Sequence, residues 1–72
     1  MAVSSDNLVR IAKAGGSFVV PSSISTDNLV RIATALKAAG AGHMTVSGAA
    51  KSTDNMVRIA NAAPGQVTFD LV

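Results

Sequence analysis

One phrase is written three times in this chain of 72 residues. It reads Ser4-Ser5-Asp6-Asn7-Leu8-Val9-Arg10-Ile11-Ala12, then Ser25-Thr26-Asp27-Asn28-Leu29-Val30-Arg31-Ile32-Ala33, then Ser52-Thr53-Asp54-Asn55-Met56-Val57-Arg58-Ile59-Ala60. After each copy come small residues, a Gly or Pro-Gly break, and a short β-prone run. The chain is therefore expected to be a single domain, 1–72, of three internal repeats at about 4–24, 25–51 and 52–72. The Asp residues mark the period as 21 and then 27 residues. It is uneven because the second helix and its exit are longer.

Each phrase reads as a helix. In the second copy Leu29, Ile32, Ala33 and Leu36 fall at i, i+3, i+4 and i+7, one apolar face. Ser25 is placed to cap it, its hydroxyl accepting a free first-turn N–H. Ile24 and Leu29 occupy the two positions of a hydrophobic staple, as do Val3 and Leu8; Lys51 breaks that pattern in the third copy. Ser5, Thr26 or Thr53 could cap instead, which would move each start by one residue. Asp6–Arg10, Asp27–Arg31 and Asp54–Arg58 are spaced as (i, i+4) pairs with the acid at the positive end of the helix dipole. Exposed pairs of this kind contribute about 0.3–0.5 kcal/mol each.

The expected elements are helix 5–14, strand 17–20, helix 26–39, strand 43–47, helix 53–63 and strand 66–71, giving the order αβαβαβ. Gly15-Gly16, Gly40-Ala41-Gly42 and Pro64-Gly65 end the helices, and Pro21 bounds the first strand. Strand–helix–strand units require parallel strands with right-handed crossovers. Strands buried on both faces read as continuous apolar runs, but two of these alternate. Met44 and Val46 share one side of their strand, and Val67, Phe69 and Leu71 share one side of theirs. The fold class that follows is α/β: a small parallel three-stranded sheet in order 1-2-3 with all helices on one face, solenoid-like. Phe18-Val19-Val20, apolar on both sides, keeps open an alternative order, 2-1-3, with helices on both faces. The layout resembles α/β solenoids such as leucine-rich repeats in architecture, but not in motif, since Pro21 and Gly48 follow the strands here.

That layout leaves surfaces uncovered. Strands sit about 4.8 Å apart and packed helices about 8–10 Å, so either the unit curves with its helices outside or the outer helices overhang the sheet. A chain this short buries a limited share of its surface, and without Cys or a zinc-binding cluster, oligomerisation is the remaining way to stabilise it. A homo-oligomer is expected, most simply a two-fold dimer. Its patches would be an edge strand (Phe18-Val19-Val20 or Val67–Leu71) and an outer helix flank near Val9 or Val57. Val19 and Phe69 are the candidate interaction residues there. An unidentified protein partner is the other expectation.

Charge narrows the partners. Six Lys and Arg against four Asp leave a net +2, too little for the basic patch that drives nucleic-acid binding. Arg10, Arg31 and Arg58 form a candidate stripe for an acidic partner or phosphates, but each has an Asp four residues earlier, and no aromatic stands by to stack on bases. The loops after the strands offer a second candidate, an anion site at Ser22, Ser23 and Lys51 near helix starts. Weak anion or nucleic-acid binding is thus the alternative to an interaction role. His43 is a lone histidine with no paired nucleophile and no second ligand. Gly40-Ala41-Gly42 follows a helix instead of opening one, so it reads as a helix stop and not a phosphate loop. No enzyme activity, cofactor or metal is expected. No apolar run approaches the ~20 residues that span a bilayer, and the start lacks the pattern of a secretory leader, so the expected location is cytoplasmic, away from membranes.

Overall fold

A computed structural model gives the fold and describes residues 4–48 and 51–71. Six elements alternate: α1 (Ser5–Lys13), β1 (Phe18–Pro21), α2 (Thr26–Ala39), β2 (Met44–Ser47), α3 (Thr53–Ala62) and β3 (Val67–Asp70). The strands form one parallel sheet in the order β1-β2-β3. The 2-1-3 alternative is therefore set aside.

The caps explain where the helices start. The N–H groups of Asn7, Asn28 and Asn55 donate to the hydroxyls of Ser4, Ser25 and Ser52 at 3.2, 3.3 and 3.3 Å. The first serine of each phrase is thus the cap, and Asp6, Asp27 and Asp54 fall in the first turns. Ile24 is half-buried against the core near buried Leu29, as a staple requires; Val3 lies outside the described residues. At the far end of α1, Gly15 N–H donates to Ala12 O and Gly16 N–H to Ile11 O, both 3.0 Å. That is the paired bonding of a Schellman stop, with Gly15 left-handed at φ 81°. Helix α2 ends on a left-handed Gly40.

Pairing register places the strand faces. Phe18, Met44 and Val67 align across the sheet, as do Val20, Val46 and Phe69. These face the helices: Val20, Met44 and Val46 are buried, and Phe18, Val67 and Phe69 pack half-buried against the core. Val19, Thr45 and Thr68 align on the other face, which no helix covers. Val19, apolar but 69% exposed, is the residue that had favoured a two-sided sheet.

Pro21 lies inside β1, not beyond it. Phe18 N–H donates to His43 O (3.0 Å) and Ser22 N–H to Ser47 O (2.9 Å). Residues 18, 20 and 22 therefore turn their backbone groups toward β2, and residues 17, 19 and 21 turn theirs to the free edge. A proline is tolerated there because its missing N–H faces no neighbour. The other strands are a residue shorter at their ends than expected, with His43, Gln66 and Leu71 just outside.

The core is centred on the middle repeat. Leu29, Ile32, Ala33, Ala35 and Leu36 of α2 are buried, against Leu8 and Ala12 from α1 and Ile59 from α3. Backbone approaches backbone at the helix–strand loops. A Cβ on Gly42 (φ +90°) would come within 2.5 Å of Gly16 O and 2.9 Å of Gly15 C. Gln66 fastens the third repeat to the second: its Nε2 donates to Leu36 O at 2.9 Å, with Ala41 O at 3.3 Å and Gly42 O at 3.4 Å, capping the end of α2.

Candidate functional site

The three helices lie side by side and repeat one interface twice. At about 100° per residue, Leu8 and Ala12 point at the sheet, Ile11 lies on one flank of α1 and Val9 on the other. Arg10 stands at the outer crest, and Asp6 leans to the Val9 flank. The same holds for α2 and α3. Each Val flank faces the next repeat and each Ile flank the previous one. Accordingly Ile32 and Ile59, packed against the repeat before them, are 0% exposed, whereas Ile11, on the first of the three repeats, is 40% exposed. Val9 and Val30 are half-buried, whereas Val57, on the third repeat, is 51% exposed. The outer flank of α1 is thus formed by Ile11 and not by Val9, which lines the groove between α1 and α2.

The ion pairs follow the same rule, which corrects the within-helix pairing expected from spacing. Arg31 of α2 reaches back to Asp6 of α1 at 3.0 Å, and Arg58 of α3 to Asp27 of α2 at 3.4 Å. Each Asp leans into the groove toward the following helix, where the long Arg side chain meets it. Arg31 also donates to Asn28 Oδ1, one turn before it. Two members of the series are left over. Arg10 lies on the first described helix and Asp54 on the last, and neither makes an ion pair among the described residues.

The row therefore has two unlike end faces. The first-repeat face carries Arg10, Ile11 and the edge of β1. Leu8, Ile11, Phe18, Val19, Val20 and Pro21 line an apolar groove there of about 500 Å³. In the second repeat the same positions are Leu29, Ile32, Met44 and Val46 on the helix side, and none exceeds 1% exposure. The third-repeat face carries Asp54, half-buried Met56, Val57, and Leu71, 55% exposed just past β3. Ile11, Val19, Val57 and Leu71 are the large apolar side chains left exposed among the described residues. All four belong to the outer repeats.

The other candidates are placed as follows. Arg10, Arg31 and Arg58 do form an exposed row across the helices, with two of the three engaged by Asp. Ser22 is buried, its side chain against the space left by Gly48, where a Cβ would lie 2.8 Å from the Ser22 hydroxyl. Ser23 is exposed and Lys51 half-buried. The buried Ser22 is thus turned into loop packing and separated in role from the other two. Phe69 is half-buried beneath the helices, and Val19 stands in solvent on the open face. His43 bonds to the Thr68 hydroxyl across the open face. No group of three or more metal-ligating side chains occurs among the described residues, and no helix there is long and apolar enough to cross a membrane. Sequence reasoning passed over Ile11, Asp54 and Gln66. The first two were readable in principle: in a row of like repeats, the end copies leave open the contacts that the middle copy makes on that side.

Compared with protein-family models, with curated proteins and with solved structures, the chain matches none.

Proposed function

We propose that this chain is a non-enzymatic, solenoid-like α/β repeat module that works by self-association. One observation carries the reading: the large apolar side chains exposed among the described residues, Ile11, Val19, Val57 and Leu71, all sit on the two outer repeats. Scattered single apolar residues on a surface need no explanation, but a position buried in two copies of a repeat and exposed in the other, as Ile11 is, marks an interface left open. Burial of Ile32 and Ile59, against exposure of Ile11, measures the cover that a neighbouring repeat supplies. A second copy of the chain is the simplest neighbour. Small size works in the same direction, since a domain of this length gains proportionally more from an added interface.

Multi-angle light scattering over a range of concentrations tests this. Mass should rise above the 7.2 kDa of one chain as concentration increases. A folded chain that stays at the monomer mass throughout would end the reading.

A further inference from the structure

The geometry points to a head-to-tail arrangement in which the third-repeat face of one copy receives the first-repeat face of the next. This rests on the self-association reading and specifies its form. The partner is a second copy of this chain, and the contact continues the interface already made between repeats one and two, and between two and three.

Charge is the first reason. Inside the chain, Arg31 meets Asp6 and Arg58 meets Asp27, always from one repeat to the one before. The series leaves Arg10 at one end and Asp54 at the other. Stacking copies head to tail places Arg10 of the following copy opposite Asp54 and completes it. Joining like ends about a two-fold axis instead brings two Arg10 side chains, or two Asp54 side chains, into one interface without the opposite charge. The two-fold dimer expected from sequence is thus the less complementary assembly.

Shape and backbone agree with charge. The groove at Ile11 and Phe18 is open among the described residues, and Val57 is the third-repeat counterpart of Val9 and Val30, which are half-buried on the flanks that face a following repeat. At the sheet edge, Met44 N–H donates to Gln66 O and Gly48 N–H to Asp70 O, both 2.8 Å. Residues 67, 69 and 71 therefore turn their backbone groups to the free edge of β3. Their N–H groups would meet the outward carbonyls of residues 17, 19 and 21 in the next copy, in the register already used twice. Pro21 supplies its carbonyl to that ladder and lacks only the returning N–H. An unlike-ended contact of this kind grows into a filament or closes as a ring, and does not stop at a pair through a shared patch.

Charge reversal tests it. Arg10→Glu and Asp54→Lys alter exposed side chains, and circular dichroism confirms that each variant is folded. Each alone should weaken assembly, lowering the weight-average sedimentation coefficient at a fixed concentration. An equimolar mixture of the two should assemble again. At one junction the new acid of the first variant meets the new base of the second, and at the next the unaltered Arg10 meets the unaltered Asp54. Should a reversal unfold the chain, Arg10→Gln and Asp54→Asn replace it. Each must then weaken assembly, and the double variant must weaken it no more than one alone, since both belong to one pair. If the unaltered chain is monomeric at every concentration, self-association itself fails. If it assembles but the reversals have no effect, or the mixture stays apart, self-association stands and the head-to-tail arrangement is overturned.

Discussion

Ile11, Ile32 and Ile59 occupy one place in three successive helices, and truncating each to Ala weighs what a neighbouring repeat contributes. Ile32 and Ile59 are 0% exposed. Removing their side chains deletes buried carbons and leaves a cavity that the surroundings only partly refill, for a loss of about 2–5 kcal/mol. Ile11 has 40% of its surface in water and borders an open groove, so no sealed cavity forms. The three deleted carbons are worth about 2.4 kcal/mol when fully buried, and the share already exposed lowers that to roughly 1.4 kcal/mol. In dilute solution Ile11→Ala should therefore cost about 1–3 kcal/mol less than Ile32→Ala, with Ile59→Ala close to the latter. Urea unfolding followed by circular dichroism reads the difference, with the slope unchanged between variants so that the midpoints compare directly. If copies associate as proposed, raising the protein concentration should draw Ile11→Ala toward Ile32→Ala. Equal losses at all three positions in dilute solution would refute the claim that the first repeat lacks a cover the others have.

Two further pairs of substitutions probe the contacts between repeats. Gly40 and Gly42 are both left-handed, at φ 69° and 90°, but a Cβ meets nothing within 4 Å at Gly40 and backbone at 2.5 Å at Gly42. Gly40→Ala should cost about 1–2 kcal/mol for its conformation alone, and Gly42→Ala about 1–3 kcal/mol more for displaced backbone; thermal unfolding that ranks them equal contradicts the loop-on-loop contact. Gln66→Ala should cost about 1 kcal/mol by removing the amide that caps α2. Gln66→Glu should be worse near neutral pH, because its carboxylate would face carbonyl oxygens at the negative end of a helix, and should recover relative to Gln66→Ala as acid protonates it. A Glu variant more stable than the Ala variant near neutral pH would remove Gln66 from that role.

The elements and their layering were legible because the signals that set them are local. A serine two residues before the Asp-Asn pair caps each helix, glycines stop two of the helices, and the alternation of Met44-Thr45-Val46 and of Val67-Thr68-Phe69 allows one covered face only. Even the apparent exception, Val19, resolved in favour of the one-sided sheet once it stood in solvent. Choices between two nearby partners were not legible. Asp27 has Arg31 a turn away on its own helix and Arg58 on the next, and spacing along the chain sees only the first. Val9 and Ile11 lie on opposite flanks of α1, and which flank is outermost depends on the direction in which the repeats are laid down. Pro21 read as a strand boundary because the edge position of β1, where its missing N–H is harmless, is a property of the sheet and not of the residue. Gln66 carried no signal: an amide at a strand start declares no partner 30 residues earlier.

Contacts in this molecule run between neighbours: α1 touches α2, α2 touches α3, and each outer strand pairs with β2. Cohesion is consequently concentrated in the interior. Five residues of α2 are buried, against two of α1 and one of α3. Opening the chain locally should be easiest at the third repeat, where α3 can lift with the loss of Ile59 burial and the Arg58–Asp27 pair, and hardest at the second, which cannot loosen without releasing both sides at once. The ends that carry the unsatisfied chemistry are thus also the parts freest to adjust, and the middle repeat is the fixed frame that holds them in register.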